Sequence, residues 1–299
     1  MTSTSYSIGL DIGGTSVKSV RVTGAGEELS RETMTIDASD PYWPRQVREL
    51  VARIERSAGP AAAVGVASPG IAGRDGRCVW WMQGRLAEVQ DLDWTAFLAR
   101  SEAVPVLNDA QAALIGEAWL GAAAGCANVF LLTLGTGVGG AALVDGRLLR
   151  GHLGRAGHLG HICLDPAGPP DIVGTPGSLE DAIGNCTVSA RSGGRFTSTL
   201  ALAAAAAGGD KEADAVWRCS IRALACGIAS LVNVLDPEVV ILGGGIAAAG
   251  RALFDPLGKE LDELEWRPHG RQARVVAAKL DEFAGAIGAA RNAMKHRQA

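Results

Sequence analysis

Tyr6-Ser-Ile-Gly-Leu-Asp11-Ile-Gly-Gly-Thr15-Ser-Val-Lys18-Ser-Val-Arg-Val22 is the stretch from which the rest of this chain is read. Apolar residues alternate on both sides of Gly13-Gly14-Thr15, which reads as strand, tight turn, strand. Roughly 120 residues downstream the pattern returns as Val129-Phe-Leu-Leu-Thr-Leu-Gly135-Thr136-Gly137-Val-Gly-Gly140-Ala-Ala-Leu-Val144. Two such hairpins predict two related α/β halves rather than a short-period solenoid.

The segments between fit that plan. Val47, Leu50, Val51 and Ile54 recur at helical spacing within a helix predicted over Pro44 to Ala58. Ala63 to Ala67 and Val104 to Leu107 read as short buried strands, ending at Ser68-Pro69-Gly70 and Asn108-Asp109. Trp217, Ile221, Leu224, Ile228, Leu231 and Leu235 step by four and three along a helix over Glu212 to Leu235, stopped by Asp236-Pro237. Glu238 to Leu242 is a strand running into Gly243-Gly244-Gly245. A last strand, Ala273 to Lys279, precedes a small-residue helix from Ala284 to Met294, and the Ala201 to Ala207 run reads as an Ala-rich helix. The expected domains are a small α/β unit over 1–110 and a larger one over 111–283, with the helix near 284–299 packing back on the first.

Composition narrows the function classes. Forty glycines in 299 residues is about 13%, against a typical ~7%. Twenty-eight basic and 32 acidic residues give a net charge of −4, without the basic stripe of a general nucleic-acid or anionic-membrane binder. No basic start leads into an apolar run, and no uninterrupted apolar stretch approaches membrane-spanning length, so a cytoplasmic protein is expected. The six cysteines are scattered without a C-x-x-C pair and read as ordinary small hydrophobes.

Three glycine clusters each follow a strand: 13–14, 135–140 and 243–245. Backbone N–H groups exposed at such turns bind anions, and glycine lets a phosphate approach without a Cβ clash. Neither a Walker A loop nor the G-x-G-x-x-G dinucleotide spacing is present. Asp11 beside the first turn suits Mg²⁺ held partly through water. Lys18 reads equally as a point charge near phosphates or as a solvated strand residue.

With these motifs in place, Asp11 to Lys18 resembles the first phosphate motif of sugar kinases in the actin, Hsp70 and hexokinase superfamily. Leu134 to Gly140 is similar to its second phosphate motif, and Leu242-Gly-Gly-Gly-Ile246 to its adenosine motif. Asn108-Asp109-Ala110, Gly157-His158-Leu-Gly-His161 and Gly177-Ser-Leu-Glu180 resemble, in order and spacing, the ROK (repressor, open reading frame, kinase) family. The resemblance implies two ribonuclease-H-like domains flanking a nucleotide and sugar cleft, the actin-like ATPase fold. It implies ATP with Mg²⁺ as donor, a hexose as acceptor with glucose expected first, and a homodimer. It makes Asp109 the general base and, with Ser68, Gly70, Asn108, His158, His161 and Glu180, a sugar contact. Asp11 would orient Mg²⁺, while Gly13, Gly14, Thr15, Lys18, Gly135, Thr136 and Gly137 face phosphates and Gly243 and Gly244 the adenosine.

Two departures stand out. Many members bind a structural zinc through a His and a C-x-C-G-x-x-G-C run. Here Asp171, Val173 and Ser178 stand at the cysteine positions, so no zinc is expected, although His161 remains. His152, His158, His161 and Cys163 crowd one loop, read as sugar contacts and packing rather than another metal site. The family's loop normally reads G-E-x-G-H, and His158 replaces that Glu. Upstream, Trp81-Met-Gln-Gly84 stands where an Asn is common, and Trp80-Trp81 reads as core more readily than as a sugar platform. Changed hydroxyl partners shift sugar preference, so another hexose or an N-acetylhexosamine is the alternative substrate. A catalytically idle sugar binder is the alternative class. Repressor relatives carry a helix-turn-helix ahead of the phosphate motif, and only ten residues precede Asp11 here.

Overall fold

The computed structural model describes residues 5–82 and 86–298, so Gln83 and Gly84 of the Trp81 to Gly84 stretch lie outside the described residues. Along the chain run β1 (Tyr6–Ile12), β2 (Ser16–Thr23), β3 (Glu28–Thr35), α1 (Trp43–Ala58), β4 (Ala63–Ser68), β5 (Ile71–Ala72), β6 (Val79–Trp81), α2 (Trp94–Phe97), β7 (Val106–Asn108) and α3 (Asp109–Leu120). There follow β8 (Val129–Leu134), β9 (Val138–Val144), β10 (Arg147–Leu148), α4 (Leu179–Ile183), α5 (Asn185–Arg191), α6 (Thr199–Ala207), α7 (Lys211–Leu235), β11 (Val239–Gly243), α8 (Arg251–Leu264), β12 (Arg274–Ala277) and α9 (Ala284–Gln298).

Contacts divide the chain into two compact units. The first comprises Met1–Gly125, Arg150–Ala156 and Lys279–Ala299, and the second Cys126–Leu149 and Gly157–Ala278. The border read at residue 110 from the sequence thus falls after Gly125. Helix α3 belongs with the first unit because it packs on α9, and a glycine at 288 lets the two backbones meet: a Cβ there would lie 1.7 Å from Ala112 O.

In the first unit five strands lie in the order β3-β2-β1-β4-β7. The first three form antiparallel hairpins, and β4 and β7 run parallel to β1. Every residue of β4 is buried, as befits a strand covered on both faces. Helix α1 presents Trp43, Val47, Leu50, Val51 and Ile54 to the core shared with Ile8, Leu10 and Val64, each such burial giving roughly 1.5–3 kcal/mol. Helix α9 lies against β1 and β4 at backbone distance, since a Cβ at Gly9 would sit 1.8 Å from Ala286 O and one at Gly65 2.1 Å from Ala289 O. Strand β3 has too little apolar alternation to stand out in sequence; its burial pattern is mostly partial or exposed, and it forms because β2 offers an unpaired edge.

The second unit repeats the order as β10-β9-β8-β11-β12, with β8 to β10 antiparallel and β11 and β12 parallel to β8. Two sheets of one design account for the hairpin echo. Helix α7 starts at an Asp210 cap and buries Trp217, Ile221, Leu224, Ile228 and Leu231 against the core. It is long and apolar enough to cross a membrane by length and composition, yet half of its most apolar stretch is buried inside the protein. It is a core helix, packed on α6 and α8. Pro256 sits inside α8, where it cannot donate to Ala252 O; the Trp217 indole N–H takes that carbonyl at 3.0 Å.

Candidate functional site

Strands β1, β4 and β7 end together, with Asp11 beside Ala67 and Ser68 beside Asn108. Ligands gather at such carboxyl ends because the strands deliver loops and helix starts there. Asn108 closes β7 and caps α3: its Oδ1 accepts from Ala110 N at 3.0 Å, and Gln111 completes a capping box. That cap places Asp109 as the first residue of α3, exposed to solvent. The Asn108 amide also donates to Gly70 O at 3.0 Å, which ties the cap to the Gly70 loop. Gly70 takes φ +92°, and a Cβ there would meet Trp81 O and Val79 at 2.7 Å. Ser68 is fully buried, its hydroxyl turned to Pro69 O, so it shapes this loop from beneath.

Two carboxylates occupy this edge on either side of β4. Burial and then the charge of Asp109 push the Asp11 carboxyl up to about 7, and Lys18 draws it partly back. The Asp109 carboxyl is also raised, by desolvation, against hydrogen bonds from Ala110 N–H and the Asn108 side chain. Water reaches Asp109, so this rise comes from the protein crowded around it rather than from sealing. Lys18 pairs with Asp11 across β1 and β2 and forms an ion pair with Glu282 at 3.3 Å. Beside them Gly14 and Thr15 are exposed, and nothing lies within 4 Å of where a Gly14 Cβ would be.

The second unit offers the matching turns at the ends of β8 and β11. Gly135 O and Thr136 O accept from Asn185 N and Cys186 N, so the opening amides of α5 pin the Gly135 to Gly137 turn. Gly243 ends β11, and Gly244 follows at φ +83°. Glu180 Oε2 accepts from Val138 N at 2.9 Å, tying α4 to the same turn. In this structure Glu180 is therefore a brace of the turn.

His158 and His161 lie on a loop that reaches β9 through glycine, for a Cβ at 160 would be 1.9 Å from Val138 O. His158 Nε2 is buried without a hydrogen-bond partner among the described residues. Burial and then the neighbouring His161 lower the His158 pKa, so its ring is neutral. His161 Nδ1 lies 2.8 Å from Asp171 Oδ2.

Zinc does not fit the residues at the cysteine positions. Val173 has no donor atom, Ser178 Oγ caps α4 by accepting from Asp181 N, and Asp171 is already hydrogen-bonded. Among the described residues the one group with metal-ligand spacing is Glu180, Asp181 and Cys186, not the histidine loop. Trp80 and Trp81 stand on β6 nearly two-fifths exposed, against the core reading, and the Trp80 indole donates to Leu153 O at 3.0 Å. Sequence reasoning missed Glu117, a fully buried carboxylate accepting from Ala122, Lys279 and Leu280 N–H groups. It fastens α3 to the chain entering α9, and no sequence motif marks it.

The chain resembles known proteins along nearly its whole length. The chain matches the ROK family over residues 7–296. It is 33% identical to a glucokinase of Thermotoga maritima, over 95% of either chain. An N-acetylmannosamine kinase of Escherichia fergusonii is 30% identical over 95% of this chain and 96% of its own. The crystal structure of a ROK family glucokinase from Streptomyces griseus, in complex with glucose and AMPPNP, superposes with a TM-score of 0.77 at 27% identity, covering 97% of this chain and 99% of that one. Two sheets of one order, with these turns at their carboxyl ends, are the actin-like ATPase fold, and the chain belongs to the ROK family.

Proposed function

We propose that this protein is an ATP-dependent sugar kinase that phosphorylates a hexose at a primary hydroxyl, with glucose the expected acceptor. Asp109 carries the reading. It is an accessible carboxylate, held by a capped helix start, whose pKa is raised towards the pH at which a general base works best. In this role it accepts the proton of the attacking hydroxyl as the oxygen closes on the γ-phosphorus. Asn108 and the Gly70 loop orient that hydroxyl, and His158 and His161 hold others on the ring. In the turns at Gly13 to Thr15 and Gly135 to Gly137, Gly13 and Gly135 N–H already bond Ser16 O and Gly137 O, and the other backbone N–H groups of these turns serve the phosphates, while Gly243 and Gly244 give the adenosine a surface free of side chains.

The acidic edge fits a divalent cation. When ionised, Asp11 and Asp109 offer oxygens that only accept, and desolvation penalises the charge on both until a cation offsets it. Asp11 would hold Mg²⁺ through water, and the ion would supply charge neutralisation at the β- and γ-phosphate oxygens. A homodimer and a cytoplasmic address accompany this reading.

The test is ADP release over a panel of hexoses and N-acetylhexosamines, with Asp109→Asn as control. Sugar-dependent turnover that the substitution abolishes supports the kinase. Sugar binding by calorimetry with no turnover would favour the idle binder.

A further inference from the structure

Asp171 stands where zinc-binding members have a cysteine, and it is the hub of its loop. Its side chain is wholly buried. Oδ1 accepts from Val173 N at 3.0 Å and Thr175 N at 2.8 Å, while Oδ2 faces His161 Nδ1 at 2.8 Å. Burial pushes the carboxyl up, but bonds from His161, Thr175, Ser178 and Val173 outweigh it and hold it below its ordinary value. It is therefore ionised and can only accept. The hydrogen of that bond must sit on His161 Nδ1. In a neutral imidazole this leaves Nε2 with a lone pair, and no group among the described residues takes it.

We propose that Asp171 is a positioning residue for the acceptor sugar: it holds His161 in the Nδ1–H form, so that Nε2 accepts a hydrogen from a sugar hydroxyl. The proposal rests on the kinase reading and deepens it. A metal on Nδ1 would take the lone pair and leave Nε2–H as a donor, so the carboxylate gives this ring the opposite hydrogen-bonding sense. Three residues away, His158 replaces an acceptor-only Glu, and its buried Nε2 also lacks a partner among the described residues. The loop thus loses one acceptor at 158 and gains one at 161, which keeps its capacity to hold the hydroxyls.

Asp171→Asn tests this without dismantling the loop. Two backbone N–H groups hold the amide oxygen at the Oδ1 position, so the amide nitrogen faces His161 and demands a lone pair from Nδ1. Long-range proton–nitrogen correlation on the labelled full-length protein, with His161→Gln for assignment, reads which ring nitrogen carries hydrogen. The expected result is Nδ1–H in the wild type and Nε2–H in the variant. KM for the preferred sugar should rise about tenfold or more, while KM for ATP stays within about twofold. A wild type with Nε2–H overturns the proposal, as does a folded variant with unchanged sugar KM. Should Asp171→Asn fold poorly by circular dichroism, Asp171→Ser is assayed for the same KM split, and equal losses for both substrates overturn the proposal. A wild type inert on every sugar would instead remove the kinase reading, while the nitrogen shifts still decide the tautomer.

Discussion

Asp11, near the end of β1, and Asp109, just beyond the end of β7, flank strand β4, and the charge on Asp109 raises the pKa of Asp11. Strand β4 lies between them and no hydrogen bond joins them, so the coupling is electrostatic rather than by contact. Asp109→Asn should lower kcat by about 10²–10⁴-fold, the usual worth of a general base, with little change in sugar affinity by calorimetry. The same substitution should lower the Asp11 pKa below its value of about 7, which carboxyl-carbon NMR titration reads directly.

Stability without nucleotide should depend on pH through Asp11. Its folded pKa of about 7 exceeds the ordinary 3.8, so the native state binds the extra proton between those values. This contribution is fully present below about pH 4 and is lost as pH rises towards 7 and beyond. Asp11→Asn should flatten that slope and, at pH 8, stabilise the apo protein by up to about 4 kcal/mol, the shift from 3.8 to about 7 at about 1.4 kcal/mol per pKa unit. Urea unfolding at pH 5 and pH 8 measures it; an unchanged slope in the variant would contradict the assignment.

Two glycines should respond oppositely to alanine. At Gly65 a Cβ would lie 2.1 Å from the Ala289 carbonyl, so Gly65→Ala must push α9 off the sheet and should cost about 3 kcal/mol or more. At Gly258, exposed inside α8 with nothing within 4 Å, alanine should stabilise by about 0.5–1 kcal/mol. Chemical denaturation of both variants checks sign and size.

His158→Glu restores the acceptor usual in the family loop. The ratio of kcat/KM between glucose and N-acetylmannosamine should change about tenfold or more, because a site built to bond hydroxyls discriminates by the partners it leaves unmet. A constant ratio across the sugar panel would place specificity elsewhere.

The sequence carries the strands, the turns and the motif residues because these are local. Alternation gives β1, β2, β8 and β9, and Gly-Gly-Thr or Gly-Thr-Gly gives the turns between them. What tertiary structure alone decided depends on groups far apart in the chain. Strand β3 exists because β2 needs an edge partner, and the glycines at 9, 65 and 288 are spacers whose purpose shows only when α9 arrives. Glu117, 162 residues before the Lys279 amide it accepts, belongs to no motif. Asp171 reads in sequence as a missing cysteine. Only the fold brings its carboxylate to His161, because hydrogen-bond direction is set by which atoms meet and not by which residue types are present.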